Sequence, residues 1–511
     1  MEAQVLILDF GSQYNQLIVR RVRELGFDAQ IIPGNSKISK IKKVDPVAII
    51  LSGGPHNISQ KSSYLPDKEI YSLNIPVLGI CYGMQVTAHL LGGKVVSSSK
   101  REYGNTKISI KNKSKIFKGL PKNFIVWMSH GDKITKLPKG FSLLASSSDI
   151  SNVAVGDSKR NIFCVQFHPE VIHTQNGKKI LNNFLTQIAR LKKSWSLKNY
   201  INQKIDKIKK EVGKDKTICA ISGGVDSSVA ATLVSRALGN NLRCIFVDNG
   251  LLRKNEAKNV KKFLTKNTKL NLKVINAQSR FLKKLRGISN PEQKRKIIGR
   301  EFIKIFEEEA RKIKGVKFLV QGTLYPDVIE SISVVGQSKT IKSHHNVGGL
   351  PKNMNLKLIE PLKFLFKDEV RKIGLELGLP KELIERQPFP GPGLAVRILG
   401  PVTEETVSIL QDADEIISQE IKKANFYTKA WQSFGVLLPL KTVGVMGDNR
   451  TYENVLVLRS VDSSDGMTAD WTKLPHQVLQ KISNRIVNEV KGINRVVYDI
   501  TSKPPGTIEW E

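Results

Sequence analysis

Apolar residues fall along this chain in short unbroken runs separated by stretches of helical spacing. In the first third the runs are Gln4–Asp9, Val47–Leu51, Pro76–Ile80 and Ile162–Phe167. Strands that are apolar on consecutive positions bury both faces, as the strands of a parallel sheet do; a sheet with one wet face alternates instead. Between the runs, Gln13–Gly26 and Met84–Leu91 carry apolar residues at intervals of three and four, the spacing of a helix that buries one side. Strand alternating with helix predicts a parallel sheet covered on both faces.

Leu191–Lys216 breaks this rhythm with a polar, Lys-rich amphipathic stretch that reads as a connector. A second set then begins: strands Thr217–Ile221, Leu242–Val247, Lys273–Ala277 and Lys317–Gln321, with a helix over Asp226–Leu238. The Pro/Gly-rich Pro388–Gly393 ends it. Beyond lie two long helical patterns and three strand candidates, Val436–Val445, Glu453–Val461 and Arg495–Ile500. The predicted class is therefore α/β: two doubly wound parallel-sheet domains plus a smaller C-terminal α+β domain. The boundaries fall at 1–195, 196–386 and 387–511, and 511 residues suit about three domains.

Composition narrows the setting. No apolar run approaches the ~20 residues that span a bilayer. Met1–Phe10 carries Glu2 and Asp9 and no basic segment, so no secretory leader is expected. Four cysteines in so long a chain do not make a disulfide framework, and no Cys-x-x-Cys pair suggests a fixed metal site. A cytoplasmic protein without membrane contact is the expectation. The net charge of +35 would suit nucleic acid. The lysines are scattered, however, as in Lys111, Lys113, Lys115, Lys118 and Lys122, so we read solvated faces and no nucleic-acid partner. The charge still steers anionic substrates.

Cys81 lies in Gly79-Ile80-Cys81-Tyr82-Gly83, directly after a strand. Small residues there let the backbone turn sharply and expose a nucleophile, and the helix that follows favours a thiolate. A buried apolar cysteine is the alternative, and it describes Cys164, Cys219 and Cys244. Another run ends in His168-Pro169-Glu170, where a histidine can act as base and a carboxylate can orient it. Ser52-Gly53-Gly54-Pro55, past a neighbouring strand, can aim N–H groups at an oxyanion. Gly-x-Cys-x-Gly with a later His-Pro-Glu resembles the class I glutamine amidotransferase family, over roughly residues 1–195. The resemblance implies that Cys81 is the nucleophile toward glutamine, His168 the base and Glu170 its orienter. It further implies oxyanion donors at Gly54 and Tyr82, and a substrate contact at Gln85.

Ser222-Gly223-Gly224-Val225-Asp226-Ser227-Ser228 joins a strand to a helix. Glycines admit phosphate oxygens close to the backbone, serines and N–H groups donate to them, and the helix N-terminus favours their charge. The loop lacks the Gly-Lys-Ser/Thr ending of Walker A. It resembles the PP-loop of ATP pyrophosphatases, which implies ATP, with Mg²⁺ bridging its phosphates. Val247 and Asp248, at the end of the next strand, are candidates for the adenosine side.

The order of motifs over essentially the whole chain is similar to the glutamine-hydrolysing GMP synthetases. The matching stretches are Asp248–Arg253, Lys294–Gly299, Gln321–Thr323, Tyr325–Ser331, Lys342–Gly349, Pro388–Gly393 and Lys503–Glu511. The resemblance implies XMP as acceptor, contacts to it from Arg295, Lys503, Ile508 and Glu509, and a homodimer built on the C-terminal domain. Met446 departs from the pattern, since some relatives carry Gln there, so that contact does not transfer. Lys363 and Lys367 fall in a region able to close over ATP, and His344 and His345 read as part of a nucleotide-site loop rather than metal ligands. Because ammonium has no lone pair, ammonia must reach the second site unprotonated, and communication between the sites is expected. Competing readings are an NAD synthetase, opposed by Lys503–Glu511, and an RNA thiolation enzyme, opposed by the amidotransferase third. An inactive amidotransferase scaffold is opposed by the intact Cys81, His168 and Glu170.

Overall fold

The computed structural model describes residues 4–12, 14–58, 64–268, 270–324, 356–446, 449–463 and 468–511. Tyr325–Ser331 and Lys342–Gly349, with His344 and His345, lie outside the described residues. The chain divides into two compact units, 1–199 and 200–511.

The first unit is built on a nine-stranded sheet in the order β2-β1-β3-β4-β9-β8-β7-β5-β6. The strands are β1 Val5–Asp9, β2 Ala29–Pro33, β3 Ala48–Leu51, β4 Val77–Ile80, β5 Lys94–Ile110, β6 Asn123–Lys136, β7 Ser142–Ser146, β8 Ala154–Asp157 and β9 Ile162–Val165. From β2 to β9 the pairing is parallel, and every residue of β3, β4 and β9 is buried, as their unbroken apolar runs require. The other four strands extend the sheet antiparallel, an extension that the apolar runs do not announce. Helix Asn15–Glu24 covers the sheet through Ile18, Val19 and Val22. Helix Tyr82–Leu90 is buried on nearly every side, and its close seat depends on Gly83: a Cβ there would stand 2.4 Å from the Leu51 carbonyl.

The second unit holds two sheets. The first is parallel, in the order β12-β11-β10-β13-β14, from β10 Lys216–Ile221, β11 Leu242–Asp248, β12 Leu272–Asn276, β13 Val316–Val320 and β14 Lys357–Ile359. The second comprises a long antiparallel hairpin, β15 Gln432–Met446 with β16 Asn449–Asp462, then β17 Asp470–Trp471, and β18 Ile493–Asp499 parallel to β16. Helices Glu404–Lys423 and His476–Glu489 are the two long C-terminal helical patterns. One apolar core runs from Ile218 and Val247 of the parallel sheet to Leu410, Ile417, Leu437 and Leu456, so the two sheets share their interior. The Lys-rich connector contains helix Leu197–Val212, which buries Tyr200, Ile201, Ile208 and Val212. No helix among the described residues is long and apolar enough to cross a membrane. Lys111, Lys113, Lys115, Lys118 and Lys122 are all exposed.

Candidate active sites

Cys81 caps helix Tyr82–Leu90 in a backbone conformation, φ 52° and ψ −106°, that an L-residue adopts only under strain. Its amide is tied to the Val165 carbonyl of β9 at 2.8 Å, which seats the turn beside the strand that leads to His168. The imidazole Nδ1 lies 2.7 Å from Glu170 Oε1, and both side chains are buried. The His168 amide donates to the Trp127 carbonyl at 3.0 Å, and its own carbonyl accepts from Thr174 Oγ1 at 2.6 Å, so the base is fixed from three sides. Burial opposes charge on His168. Against it, the Glu170 charge, hydrogen bonds to the Cys81 and Glu170 side chains and the Cys81 charge push its pKa up to about 11. An imidazolium facing the sulfur is the partner that a thiolate nucleophile needs.

The Gly53-Gly54 turn closes on the same pair. A Cβ at Gly53 would lie 2.9 Å from His168 Cε1 and 3.7 Å from Cys81 Cβ, and one at Gly54 would lie 2.5 Å from the Phe10 carbonyl. Neither position admits a side chain without displacement. Among the described residues no acceptor is bonded to the Gly54 or Tyr82 backbone N–H, the state an oxyanion donor needs before substrate arrives. Gln85 is buried and donates to the Asp132 carbonyl at 3.4 Å. Sequence reasoning missed two neighbours of the sulfur. Gln166 Nε2 stands 3.8 Å from it, and the Ser129 carbonyl 3.5 Å. Gln166 sits two residues before His168 on the run that leads to it, and that proximity was the one available signal.

In the second unit the chain leaves β10 toward β11 on one side and returns to β13 on the other, so the sheet changes direction at the C-terminal end of β10. Ligands of open α/β sheets bind at such a point, and Ser222–Gly224 occupies it. Gly223 has φ +81°, and a Cβ there would meet Val260 Cγ2 at 3.0 Å. The loop is braced by Ser222 Oγ to Ser227 Oγ at 3.1 Å and by Ser228 Oγ to the Gly224 carbonyl at 2.8 Å. Val225 begins helix Val225–Leu238, with Asp226 in its first turn. Gly322 lies close against Asp226 and Ser227, its Cβ position 3.1 Å from the Ser227 amide nitrogen. Val247 and Asp248 end β11, as expected; Asp248 accepts from the Gly250 amide at 3.0 Å and from Gln278 Nε2 at 2.9 Å. Lys363 is paired with Glu360 at 2.7 Å, and Lys367 starts helix Lys367–Glu376.

The residues expected at the acceptor gather at the C-terminus. Arg295, on helix Pro291–Arg311, donates to the Glu511 carbonyl, and its neighbour Lys294 is wholly buried and bonded to Glu511 Oε2 at 2.7 Å. Ile508 packs on Phe434, Val436 and Val457. Glu509 accepts from Arg397 at 2.9 and 3.0 Å and from Gln432 at 2.6 Å. Lys503 is held by backbone pairing with Ala469. Met446 ends β15, opposite Asn449.

Residues 6–188 match the glutamine amidotransferase class-I family, residues 212–387 the thiamine biosynthesis protein (ThiI) family, and residues 419–510 the GMP synthase C terminal domain. The chain is 57% identical over 508 residues to the glutamine-hydrolysing GMP synthase of Brachyspira hyodysenteriae, covering 99% of each chain. The enzyme of the same name from Carboxydothermus hydrogenoformans is 55% identical over 511 residues, 100% of both. The chain belongs to the glutamine-hydrolysing GMP synthase family. In Aquifex aeolicus a further GMP synthase is 54% identical over 507 residues, 99% of each chain. Members of the GMP synthase family are amidotransferase ligases. The Cys81–His168–Glu170 cluster falls in the class-I segment, Ser222–Ser228 in the ThiI segment and Lys503–Glu509 in the GMP synthase C-terminal segment.

Proposed function

We propose that this chain converts XMP, ATP, glutamine and water to GMP, AMP, pyrophosphate and glutamate. One observation carries the reading: a strained cysteine with a carboxylate-paired histidine, and a serine-braced phosphate loop at a sheet's direction change, occur in a single chain. At the first site the Cys81 sulfur attacks the glutamine side-chain carbon, with the oxyanion on the Gly54 and Tyr82 N–H groups and Gln85 beside the substrate. His168, held by Glu170, gives a proton to the leaving ammonia. It then takes one from the water that cleaves the thioester to glutamate.

At the second site the groups of Ser222, Gly223, Gly224, Val225, Asp226, Ser227 and Ser228 receive the ATP phosphates, and Val247 and Asp248 the adenosine. Arg295, Lys503, Ile508 and Glu509 hold XMP. The C2 oxygen of XMP attacks the α-phosphorus, pyrophosphate leaves, and ammonia then displaces AMP from C2. A carboxylate within the phosphate loop, in the first turn of the helix that leaves it, fits Mg²⁺, and Asp226 would hold the ion, which would offset phosphate charge when bound. We assign the amidotransferase to 1–195, the ATP pyrophosphatase to 196–386, and XMP binding and homodimerisation to 387–511. The enzyme acts in the cytoplasm without a nucleic-acid partner. In the test, Cys81→Ala loses glutamine-driven GMP formation and keeps formation from added ammonia; loss of both would overturn the division into two sites.

A further inference from the structure

Pro388–Gly393 stands out in the sequence, and nothing above gives it a role. It docks on the loop that follows β11: the Leu394 amide donates to the Leu251 carbonyl at 2.8 Å, and a Cβ at Gly393 would stand 2.3 Å from that oxygen. Two guanidinium groups rest on the Phe389 ring. The Arg253 group is 4.3 Å from the ring centre and the Arg397 group 5.1 Å. Arg397 is 1% exposed, rests on Phe434 at 3.9 Å and forks onto Glu509 of the C-terminal tail. Arg253 donates to the Pro388 carbonyl at 3.2 Å and lies 4.0 Å from Glu256 and 3.9 Å from Asp414, both buried. Glu256 in turn accepts from Arg386, whose other nitrogen donates to the Gly223 carbonyl at 3.0 Å.

A continuous column therefore joins the tail to the phosphate loop: Glu509, Arg397, Phe389, Arg253, Glu256, Arg386, Gly223. Stability alone is a weak reason for it. Buried ion pairs cost desolvation that their attraction barely offsets, and apolar replacements often do as well. Planar guanidinium groups clamped on a ring and on carboxylates make a stiff, oriented stack. A packed interior passes displacement on rather than absorbing it.

We propose that this column couples the two substrates of the synthetase site, with Phe389 as the positioning residue that relays a change at Glu509 to the Gly223 carbonyl. The inference rests on the GMP synthase reading, in which Glu509 touches XMP. An acceptor that engages Glu509 alters the Arg397 fork. Through Phe389 and Arg253 it resets Glu256 and Arg386, and so the loop that takes the ATP phosphates. XMP then tightens ATP binding, and by linkage ATP tightens XMP binding by the same factor.

The test uses the full chain and α,β-methylene-ATP, which cannot release pyrophosphate. Its Kd is measured by calorimetry with and without saturating XMP, and XMP is then titrated with and without the analogue. Wild type should show the same coupling factor in both directions, about fivefold or more. In Phe389→Leu the factor should fall below about twofold, with each ligand alone binding within about threefold of wild type. Phe389→Tyr, which keeps the ring, should restore it. If the leucine variant does not fold, Arg253→Lys keeps the charge, loses the planar face and carries the same expectation. A Phe389→Leu protein that retains the wild-type factor overturns the proposal. So does a wild type that binds both ligands without coupling, which leaves the GMP synthase reading standing. A wild type that binds the analogue but not XMP overturns that reading and this inference with it.

Discussion

Gly53→Ala puts one methyl group where the turn meets the base. The new carbon would begin 2.9 Å from His168 Cε1, against an ordinary contact of about 3.5–4.0 Å. Relief therefore needs a shift of about 0.6–1 Å. The imidazole has little room to give. Glu170 holds its Nδ1 at 2.7 Å, Thr174 holds the His168 carbonyl at 2.6 Å, and the Tyr14 ring lies 5.0 Å away, edge-on. Either the histidine tilts off the sulfur or the turn retreats and takes the Gly54 N–H with it. A misplacement near 1 Å in a catalytic array costs about 10²-fold, and overpacking costs about 1–3 kcal/mol of stability. Glutamate release in the presence of ATP and XMP should therefore fall about 10- to 100-fold, while GMP formation from added ammonia stays at the wild-type rate. A Gly53→Ala enzyme with wild-type glutaminase activity would refute the placement of this turn against the base.

Two further outcomes follow from other parts of the molecule. His130 is buried on β6. Burial pushes its pKa down to about 4, with the Asp132 carbonyl partly opposing and the His168 charge adding to the fall. A folded pKa below the unfolded value of about 6.5 means stability that is complete above pH 6.5 and is lost as the pH falls toward 4. His130→Gln should therefore lose less stability than wild type between pH 7 and pH 5 in urea melts, and equal losses would contradict this. Gly223→Ala forces φ near +81° on a residue with a Cβ and crowds Val260. Its ammonia-driven GMP formation should drop at least about tenfold with a raised KM for ATP, and an unchanged KM would separate Gly223 from the phosphates.

Most of the parallel strands could be read from sequence because strands buried on two faces are apolar at every position, as Ala48–Leu51 and Val77–Ile80 are; the short edge strand Lys357–Ile359, exposed at two of its three positions, was missed. Ala29–Pro33 was missed; it is a half-buried edge strand that ends in proline. The hairpin of β5 and β6 was missed for a different reason. Along Asn123–Lys136 alternate residues are buried, but two of the buried positions are His130 and Asp132, so the period of two does not show as hydrophobicity. The same rule divides the sites. His168 and Glu170 are two residues apart, and Cys81 announces itself through its flanking glycines. The contacts of Gly53 with His168, of Arg253 with Phe389 and of Arg397 with Glu509 join residues more than a hundred positions apart. No local spacing records such pairs; they exist only once the chain has folded.

In the proposed reaction one chain joins ammonia from glutamine to XMP at the expense of ATP. AMP release measured with glutamine, ATP and one acceptor at a time, XMP, deamido-NAD or tRNA, tests it most directly. Release is expected with XMP alone, matched mole for mole by GMP and glutamate and lost in Cys81→Ala until ammonia is added. Release with deamido-NAD or tRNA, and none with XMP, would contradict it.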